Sequence, residues 1–155
     1  MNKLSLVALS MLAVGFSTPA RGAEQLDPAV IAAADKMLST MPNDWYQVEP
    51  AAAQQLIENA KPLVLDMREP AEITSKIPGS LNIPIRQLTK QLSSLPENRA
   101  APILTYCKVG YRGGMAVTIL RMLGYTNVRT IKFGLDAWEK AGLAVEKLPP
   151  AEKKS

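Results

Sequence analysis

The sequence contains no histidine and only one cysteine, Cys107. The absence of histidine excludes Cys-His and Ser-His-Asp catalysis, and it argues against a zinc site. A cysteine nucleophile in this chain would therefore need a group other than imidazole to stabilise its thiolate. A single cysteine also excludes an intramolecular disulfide, so three interpretations of Cys107 remain open: a buried inert thiol, an intermolecular disulfide, and a reactive nucleophile.

The chain also lacks a strong excess of charge, internal repeats and low-complexity segments. It has 18 basic and 14 acidic residues. Loss of residues 1–22 would remove Lys3 and Arg21 and no acidic residue, so 16 basic residues would face 14 acidic ones. A charge so close to balance argues against nucleic-acid binding, which needs a clustered basic face. The length that remains suits one domain with a single core.

The N-terminus has the pattern of a secretory signal peptide over residues 1–22. "MNK" is a short positive start, "LSLVALSMLAVGF" is an uncharged apolar core, and "STPARGA" supplies small residues for cleavage between about residues 20 and 24. The apolar core is shorter than the roughly 20 residues of a spanning helix, so an uncleaved membrane anchor ranks second. We expect a periplasmic or secreted protein without stable membrane insertion after cleavage.

Alternating apolar runs and helical patterns predict an α/β fold. Buried strands are predicted at 63–67, in "APILTYC" and in "NVRTIK", with a short edge strand in "WYQVE". Helices are predicted from the Asp27 cap to Leu38 and in the segments "PAAAQQLIENA", "IRQLTKQLSSL", "YRGGMAVTILRMLGY" and "GLDAWEKAG". In the helix "YRGGMAVTILRMLGY", the apolar residues on one face are Met115, Ile119, Met122 and Leu123. Helical segments between strands imply right-handed crossovers and a mostly parallel central sheet flanked by helices.

The segment "CKVGYRG" follows the strand "ILTY" and precedes a helix. Ligands of open α/β sheets bind outside the carboxyl ends of strands, where Cys107 stands. Gly110 and Gly113 allow a tight loop whose backbone N–H groups turn inward, and the next helix directs its N-terminus at the same place. Together with Lys108 and Arg112, this predicts an electropositive, partly exposed setting that favours a cysteine thiolate. A reactive nucleophile becomes the preferred interpretation of Cys107.

These residues resemble the rhodanese-like sulfurtransferases, in particular their single-domain exported type. Cys107, Gly110 and Arg112 match the family's Cys-x-x-Gly-x-Arg pattern. "LVLDMREPAEI" resembles the strand-Asp-x-Arg segment with Asp66, Arg68 and Glu72, "IPGSLNIPI" resembles the loop after it, and "FGLDAW" resembles the Gly-x-x-x-Trp segment with Gly134 and Trp138. The resemblance implies a rhodanese-like domain over 45–148, preceded by a helical extension over 23–44 and followed by a flexible tail over 149–155.

The resemblance implies a mechanism in which Cys107 carries sulfur. Its thiolate would take the outer sulfur of a small anionic donor such as thiosulfate as a persulfide, and a thiophilic acceptor such as cyanide or a thiol would then remove it. The binding loop would comprise Lys108, Val109, Gly110, Tyr111, Arg112 and Gly113. Within it, Lys108 would favour an anionic donor, Lys108, Val109 and Tyr111 would tune substrate choice, and Arg112 would anchor the loop or meet the donor's charge. No metal and no cofactor beyond the persulfide are implied.

Asp66 and Arg68 are supporting residues in this interpretation. Asp66 lies at a strand end and could line the pocket, but hydrogen bonding between neighbouring loops or pairing with an arginine is the preferred role. Trp45 and Trp138 are interpreted as packing residues.

Loop length separates this chain from the phosphatases that share the fold. Those enzymes have five residues between cysteine and arginine, whereas four separate Cys107 from Arg112. The smaller loop suits sulfur. Gly113 and Gly114 stand where the family commonly has serine or alanine, and they should loosen the helix start by roughly 1 kcal/mol per glycine. Ser75 and Lys76 replace a common Gly-His pair.

Three functions remain open at this point. The first is a thiosulfate-type sulfurtransferase. The second is a persulfide or polysulfide carrier for a partner enzyme of sulfur metabolism, which would form the persulfide but turn over small acceptors poorly. The third is a non-catalytic interaction or sensor module. The intact loop favours the first two, and both need the same persulfide.

Overall fold

The structure is a computed structural model that describes residues 26–149. The predicted signal peptide and all but the first residue of the predicted tail lie outside this range. Between residues 26 and 149, no helix combines the length and the apolar character that crossing a bilayer requires.

The described residues form a five-stranded parallel sheet and a small antiparallel pair. The strands are β1 (Gln47–Val48), β2 (Leu63–Asp66), β3 (Ser75–Lys76), β4 (Leu81–Asn82), β5 (Ile103–Tyr106), β6 (Val128–Ile131) and β7 (Glu146–Lys147). The main sheet has the order β1-β6-β5-β2-β4, and β3 pairs with β7. All pairs of the main sheet are parallel, as the helical crossovers predict. The expected α/β class is confirmed.

Helices cover both faces of the main sheet. They are α1 (Pro28–Ser39), α2 (Pro50–Ala60), α3 (Tyr111–Met122) and α4 (Gly134–Lys140). One core cluster joins α1 and α3 to Ile103 and Cys107, and the other joins α2 and α4 to Leu104 and Tyr106. This division follows from the alternation of side chains along β5, all four of whose residues are buried.

Helix α1 begins, and helix α4 ends, as their sequences predict. The Asp27 side chain accepts a hydrogen bond from the Ala29 N–H at 2.8 Å, and Pro28 occupies the first helical position of α1. After α4, Gly142 has a φ of 71°. Its N–H donates to the Glu139 carbonyl at 2.9 Å, and the Leu143 N–H donates to the Trp138 carbonyl at 3.3 Å. These two bonds satisfy the last carbonyls of the helix in a Schellman motif.

The amphipathic helix predicted in "IRQLTKQLSSL" is wrong. The segment forms two 3₁₀ turns, Ile85–Lys90 and Leu92–Ser94, separated by Gln91 with φ −120° and ψ 31°. Leu88 and the later Leu95 are both buried, so each turn brings one leucine to the core. The interruption at Gln91 lets a short connection place these two side chains without a continuous helix.

The predicted apolar face of α3 is correct for Ile119 and Met122, which pack against the core, and wrong for Met115 and Leu123. Met115 is 56% exposed, and the residues that α3 buries are Gly113, Ala116, Val117 and Leu120. A Cβ on Gly113 would collide with the Thr130 Oγ1 and would lie 3.3 Å from the Tyr106 Cα. The helix therefore approaches the sheet through its small residues, and this closeness turns Met115 outward.

The pair β3–β7 has no counterpart among the predicted strands. Two residues from each segment pair in antiparallel register, and Lys76 Nζ lies 3.4 Å from Glu146 Oε2. Such short strands give no periodic signal, because alternation needs about four residues to be recognised.

Candidate active site

Cys107 lies directly after β5, the middle strand of the main sheet, at its carboxyl end. The Gly110 N–H donates a hydrogen bond to the Cys107 Sγ at 3.2 Å. The partly exposed cysteine expected from the sequence is not observed, because the residue is only 1% exposed and belongs to the α1/α3 core cluster. Its sulfur therefore lies under the loop with a backbone donor directed at it.

The loop after Cys107 is held by the N-terminus of α4. The Leu135 N–H donates to the Cys107 carbonyl at 2.8 Å, and the Asp136 N–H donates to the Lys108 carbonyl at 3.0 Å. The first N–H groups of a helix have no partner within the helix, so they are free to bind these carbonyls. With both carbonyls turned toward α4, the loop can direct the Gly110 N–H at the sulfur.

Two glycines make this contact between loop and helix possible. Gly134 has a φ of 62°, and a Cβ there would collide with the Cys107 carbonyl and lie 2.9 Å from the Gly110 nitrogen. Gly110 has a φ of 100°, which residues with a Cβ rarely adopt. Gly110 and Gly134 both belong to motifs of the sequence, but the role of Gly134 as the contact point of α4 is visible only in the structure.

Helix α3 begins at Tyr111, four residues after Cys107, with Gly110 as its N-cap. The positive end of the helix dipole therefore lies beside the loop that contains Cys107, where it stabilises negative charge. Of the two glycines that follow Arg112, Gly113 is buried against β5 and β6, whereas a Cβ on Gly114 would meet nothing within 4 Å. The expectation that both glycines only loosen the helix start is therefore wrong for Gly113, which close packing requires.

Arg112 connects the loop to the segment after β2. Its Nη1 lies 2.5 Å from the Glu72 Oε2, which also accepts a hydrogen bond from the Glu69 N–H. The hydrogen bond to Glu72 raises the pKa of Arg112, and the Cys107 thiol acts in the same direction. The same bond is the main reason that the pKa of Glu72 is lowered. Arg112 thus anchors the loop and adds a positive charge to it.

The remaining loop side chains face solvent. Lys108 Nζ forms an ion pair with Asp136 Oδ1 at 2.5 Å, so its charge has a partner on α4. Val109 is 44% exposed and Tyr111 is 81% exposed. Asp136 could not be predicted as the partner of Lys108, because the two residues are far apart along the chain.

Asp66 and Arg68 form a buried ion pair with each other. The Arg68 Nε donates to the Asp66 Oδ1 at 2.9 Å, and its Nη2 donates to the Ser75 carbonyl at 2.6 Å. Burial lowers the pKa of Arg68, but the hydrogen bond and charge of Asp66 outweigh this effect and raise it overall. The guanidinium also lies 5.7 Å from the Tyr106 ring centroid, on the α2/α4 side of the sheet. The structure therefore places this pair between elements and not in the loop around Cys107.

The sequence was compared with those of known proteins and protein families. The model of the rhodanese-like domain family matches residues 49–141. A sulfurtransferase from Allochromatium vinosum is 32% identical over 94 residues, which cover 60% of this chain and 86% of that protein. A thiosulfate:glutathione sulfurtransferase from Saccharomyces cerevisiae is 28% identical over 52% of this chain and 66% of its own length. Two other curated relatives are matched over 55% and 61% of their length.

Solved structures agree with these sequence matches. A rhodanese-related protein from Thermoplasma volcanium superposes with a TM-score of 0.58 and 31% identity. The match covers 64% of this chain and 96% of that one. Because the family model spans more than half of the sequence and includes the whole loop from Cys107 to Arg112, the chain belongs to the rhodanese-like domain family.

Proposed function

We propose that this protein is a sulfurtransferase that takes sulfane sulfur from thiosulfate or a similar anionic donor and passes it to a thiophilic acceptor. Cys107 is the nucleophile, and a Cys107 persulfide is the intermediate. The observation that carries the proposal is the Gly110 N–H donating to the Cys107 Sγ at 3.2 Å. A backbone donor directed at this sulfur stabilises it when it bears negative charge.

In the first half-reaction, the Cys107 thiolate attacks the outer sulfur of thiosulfate. A bond forms between Sγ and that sulfur, and the sulfur–sulfur bond of thiosulfate breaks with its electron pair leaving on sulfite. The total charge of about −3 is conserved, because a thiolate anion and a thiosulfate dianion become a persulfide anion and a sulfite dianion. Arg112, in the first turn of α3 and five residues after Cys107, offsets the negative charge of the approaching donor.

In the second half-reaction, an acceptor anion attacks the outer sulfur of the persulfide. The bond between that sulfur and Sγ breaks, and its electron pair returns to Cys107 as thiolate. With cyanide the product is thiocyanate, and with a thiolate it is a new persulfide. The cycle is ping-pong and, as proposed, uses no cofactor beyond the persulfide itself.

The test is the intact mass of the purified mature protein after exposure to thiosulfate and then to cyanide. We expect a gain of one sulfur atom that cyanide removes, and no gain in Cys107→Ser, which keeps the side-chain shape without the thiol. An unchanged mass of the wild type, with the thiol still reduced, would contradict thiosulfate as donor. A persulfide that forms but is not turned over by cyanide or small thiols would favour the carrier function.

We also propose export of the protein, on the signal pattern of residues 1–22. The expected mature chain starts at Ala23. N-terminal sequencing of protein from the producing cell, fractionated into its compartments, checks this. Full-length chain retained in the cytoplasm would contradict it.

A further inference from the structure

Four exposed apolar side chains surround one side of the loop that holds Cys107. Trp45, Val109, Tyr111 and Phe133 are 66%, 44%, 81% and 65% exposed, and we call them the rim patch. The interpretation of Trp45 as a packing residue is therefore wrong, whereas Trp138 is buried. All four line a groove of about 250 Å³ whose other walls include Gly110, Gly114 and Lys132. Large apolar residues gathered on a surface mark a site of interaction, whereas scattered ones carry no such meaning.

Two of these aromatic residues occupy strained backbone conformations. Trp45 has a φ of 54° and Phe133 a φ of 56°, in a region that residues with bulky side chains rarely adopt. Tyr46 shares this conformation but is buried, and its hydroxyl donates to the Thr40 carbonyl at 2.9 Å. The Phe133 ring has the Lys132 Nζ 5.6 Å from its centroid, and it is still 65% exposed. Trp45 and Phe133 thus both lie on the surface beside the loop.

The charges around the groove are already paired. Lys132 Nζ lies 2.6 Å from Glu49 Oε1, and Lys108 is paired with Asp136. The cations beside the rim patch in the described residues therefore leave little net charge for a ligand. An uncharged, apolar surface complements this arrangement, and a highly charged one does not.

The dimensions favour a protein over a small molecule. Pockets for small ligands enclose about 300–1,000 Å³ and bury most of the ligand, whereas this groove is smaller and has open aromatic walls. Tyr111, at 81% exposed, needs a broad partner surface to be covered. Tryptophan and tyrosine are the residues that most often dominate the energy of protein interfaces.

We propose that the rim patch docks an apolar, uncharged segment of a partner protein that presents the acceptor cysteine. This inference rests on the proposed function, and it names the acceptor class of the same site. Val109, Gly110 and Tyr111 belong both to the groove and to the loop between Cys107 and Arg112, and the nitrogen of Gly110 is 3.2 Å from the Cys107 sulfur. A segment in the groove therefore contacts the loop that holds the sulfur. The partner thiolate attacks the outer persulfide sulfur, the bond from that sulfur to Cys107 breaks, and the electron pair returns to Cys107.

The test uses two synthetic acceptor peptides. One carries a cysteine flanked by phenylalanine and leucine, and the other carries a cysteine flanked by serines. Sulfur transfer from thiosulfate-loaded protein to each peptide is followed by mass spectrometry. We expect the KM of the apolar peptide to be about tenfold lower, because burial of one large apolar side chain corresponds to roughly that factor.

The variants are Trp45→Asn and Phe133→Asn, alone and combined. Asparagine tolerates a positive φ, so each change removes the ring without adding strain. We expect the combined variant to raise the KM of the apolar peptide about tenfold, while kcat, persulfide loading and the polar peptide stay unchanged. Leu38→Asn is the matched control, because Leu38 is 63% exposed on α1 and away from the groove.

A binding measurement separates this inference from the proposed function. Versions of both peptides with serine in place of cysteine are titrated into unloaded protein and followed by NMR. Tighter binding of the apolar version, lost in the combined variant, supports docking even if thiosulfate fails to load Cys107, whereas failed loading alone contradicts the proposed function.

Three results would overturn the docking proposal. The first is equal binding and equal KM of the two peptides. The second is an equal dependence on Trp45 and Phe133 for benzyl mercaptan, which would make the groove a site for small thiols. The third is self-association of the wild type that the combined variant abolishes, which would make the rim patch an interface between two copies.

Discussion

At the scale of single residues, the site depends on positions that have no side chain. Gly110 supplies the N–H for the Cys107 sulfur, Gly134 admits the loop carbonyls, and Gly113 lets α3 approach the sheet. The requirements at Gly134 and Gly113 come from neighbours that are distant in sequence, Cys107 and Thr130. The motif predicted the positions of Gly110 and Arg112, whereas the packing role of Gly113 depends on Thr130 and could not be read from the motif.

The adjacent glycines of α3 give a matched pair of substitutions. Gly113→Ala should lower the free energy of unfolding by about 1–3 kcal/mol, because the new methyl group collides with the Thr130 Oγ1. Gly114→Ala should raise it by up to about 1 kcal/mol, because alanine favours the helix and meets no neighbour. Urea denaturation measures both. A stabilising Gly113→Ala would show that α3 does not pack as closely as described.

The ion pair between Arg112 and Glu72 predicts a dependence of stability on pH. The pKa of Glu72 is lowered from 4.5 in the folded protein, mainly by the hydrogen bond from Arg112. The stabilisation from this pair is therefore complete above pH 4.5 and disappears as the pH falls through the lowered folded pKa. The difference in free energy of unfolding between the wild type and Glu72→Gln should follow this course.

Chemical denaturation at several pH values between 3 and 7 tests the prediction. Glu146→Gln is the control, because its pair with Lys76 is longer, at 3.4 Å. A difference between wild type and Glu72→Gln that grows as the pH is lowered would have the wrong sign and would exclude Glu72 as the partner that stabilises Arg112.

At the scale of secondary-structure elements, α4 acts as the support of the loop. Its first N–H groups bind the carbonyls of Cys107 and Lys108, and Gly134 is the point of contact. Gly134→Ala should therefore lower the rate of persulfide loading by about tenfold to hundredfold, since small displacements of a reacting group cost that much. Mass spectrometry after short exposures to thiosulfate measures the rate.

Gly142→Ala is the matched control for this substitution. Gly142 also has a positive φ, 71°, but a Cβ there meets nothing within 4 Å. Both variants should lose about 1–2 kcal/mol of stability from left-handed alanine, and Gly134→Ala should lose more because its Cβ also collides with the Cys107 carbonyl. Only Gly134→Ala should load slowly. Equal loading rates in the two variants would mean that α4 does not position the loop.

The elements differed in how well the sequence predicted them. The strands at Leu63 and Ile103 were predicted correctly, because short apolar runs between turn residues define buried parallel strands. The prediction of one helix between Ile85 and Leu95 was wrong, because the spacing of its apolar residues is compatible both with an α-helix and with two separate 3₁₀ turns. In α3 the prediction placed Ile119 and Met122 against the core correctly and Met115 wrongly, because the helix approaches the sheet most closely through Gly113.

At the scale of the whole molecule, the buried pair of Asp66 and Arg68 joins the two sheets. Asp66 ends β2 in the main sheet, and Arg68 donates to the Ser75 carbonyl in β3. Asp66→Asn should lower the free energy of unfolding by about 3–5 kcal/mol, because it leaves the guanidinium buried without its counter-charge. Denaturant unfolding of the variant provides the measurement.

The exposed pair of Lys76 and Glu146, which also lies at the junction with β3, is the comparison. Glu146→Gln should change stability by less than about 1 kcal/mol, because exposed ion pairs contribute little. A loss of similar size for Asp66→Asn and Glu146→Gln would mean that burial of the Asp66–Arg68 pair carries no special energetic weight.

The burial of Cys107 should protect the purified protein from forming disulfide-linked dimers in air. A disulfide between two copies requires the two Cys107 sulfurs to meet directly, and two residues that are each 1% exposed cannot do so while both copies stay folded. On a non-reducing gel after prolonged aerobic storage, the protein should run as a single chain. Of the three interpretations of the lone thiol, the intermolecular disulfide is thus the one that the folded chain itself obstructs.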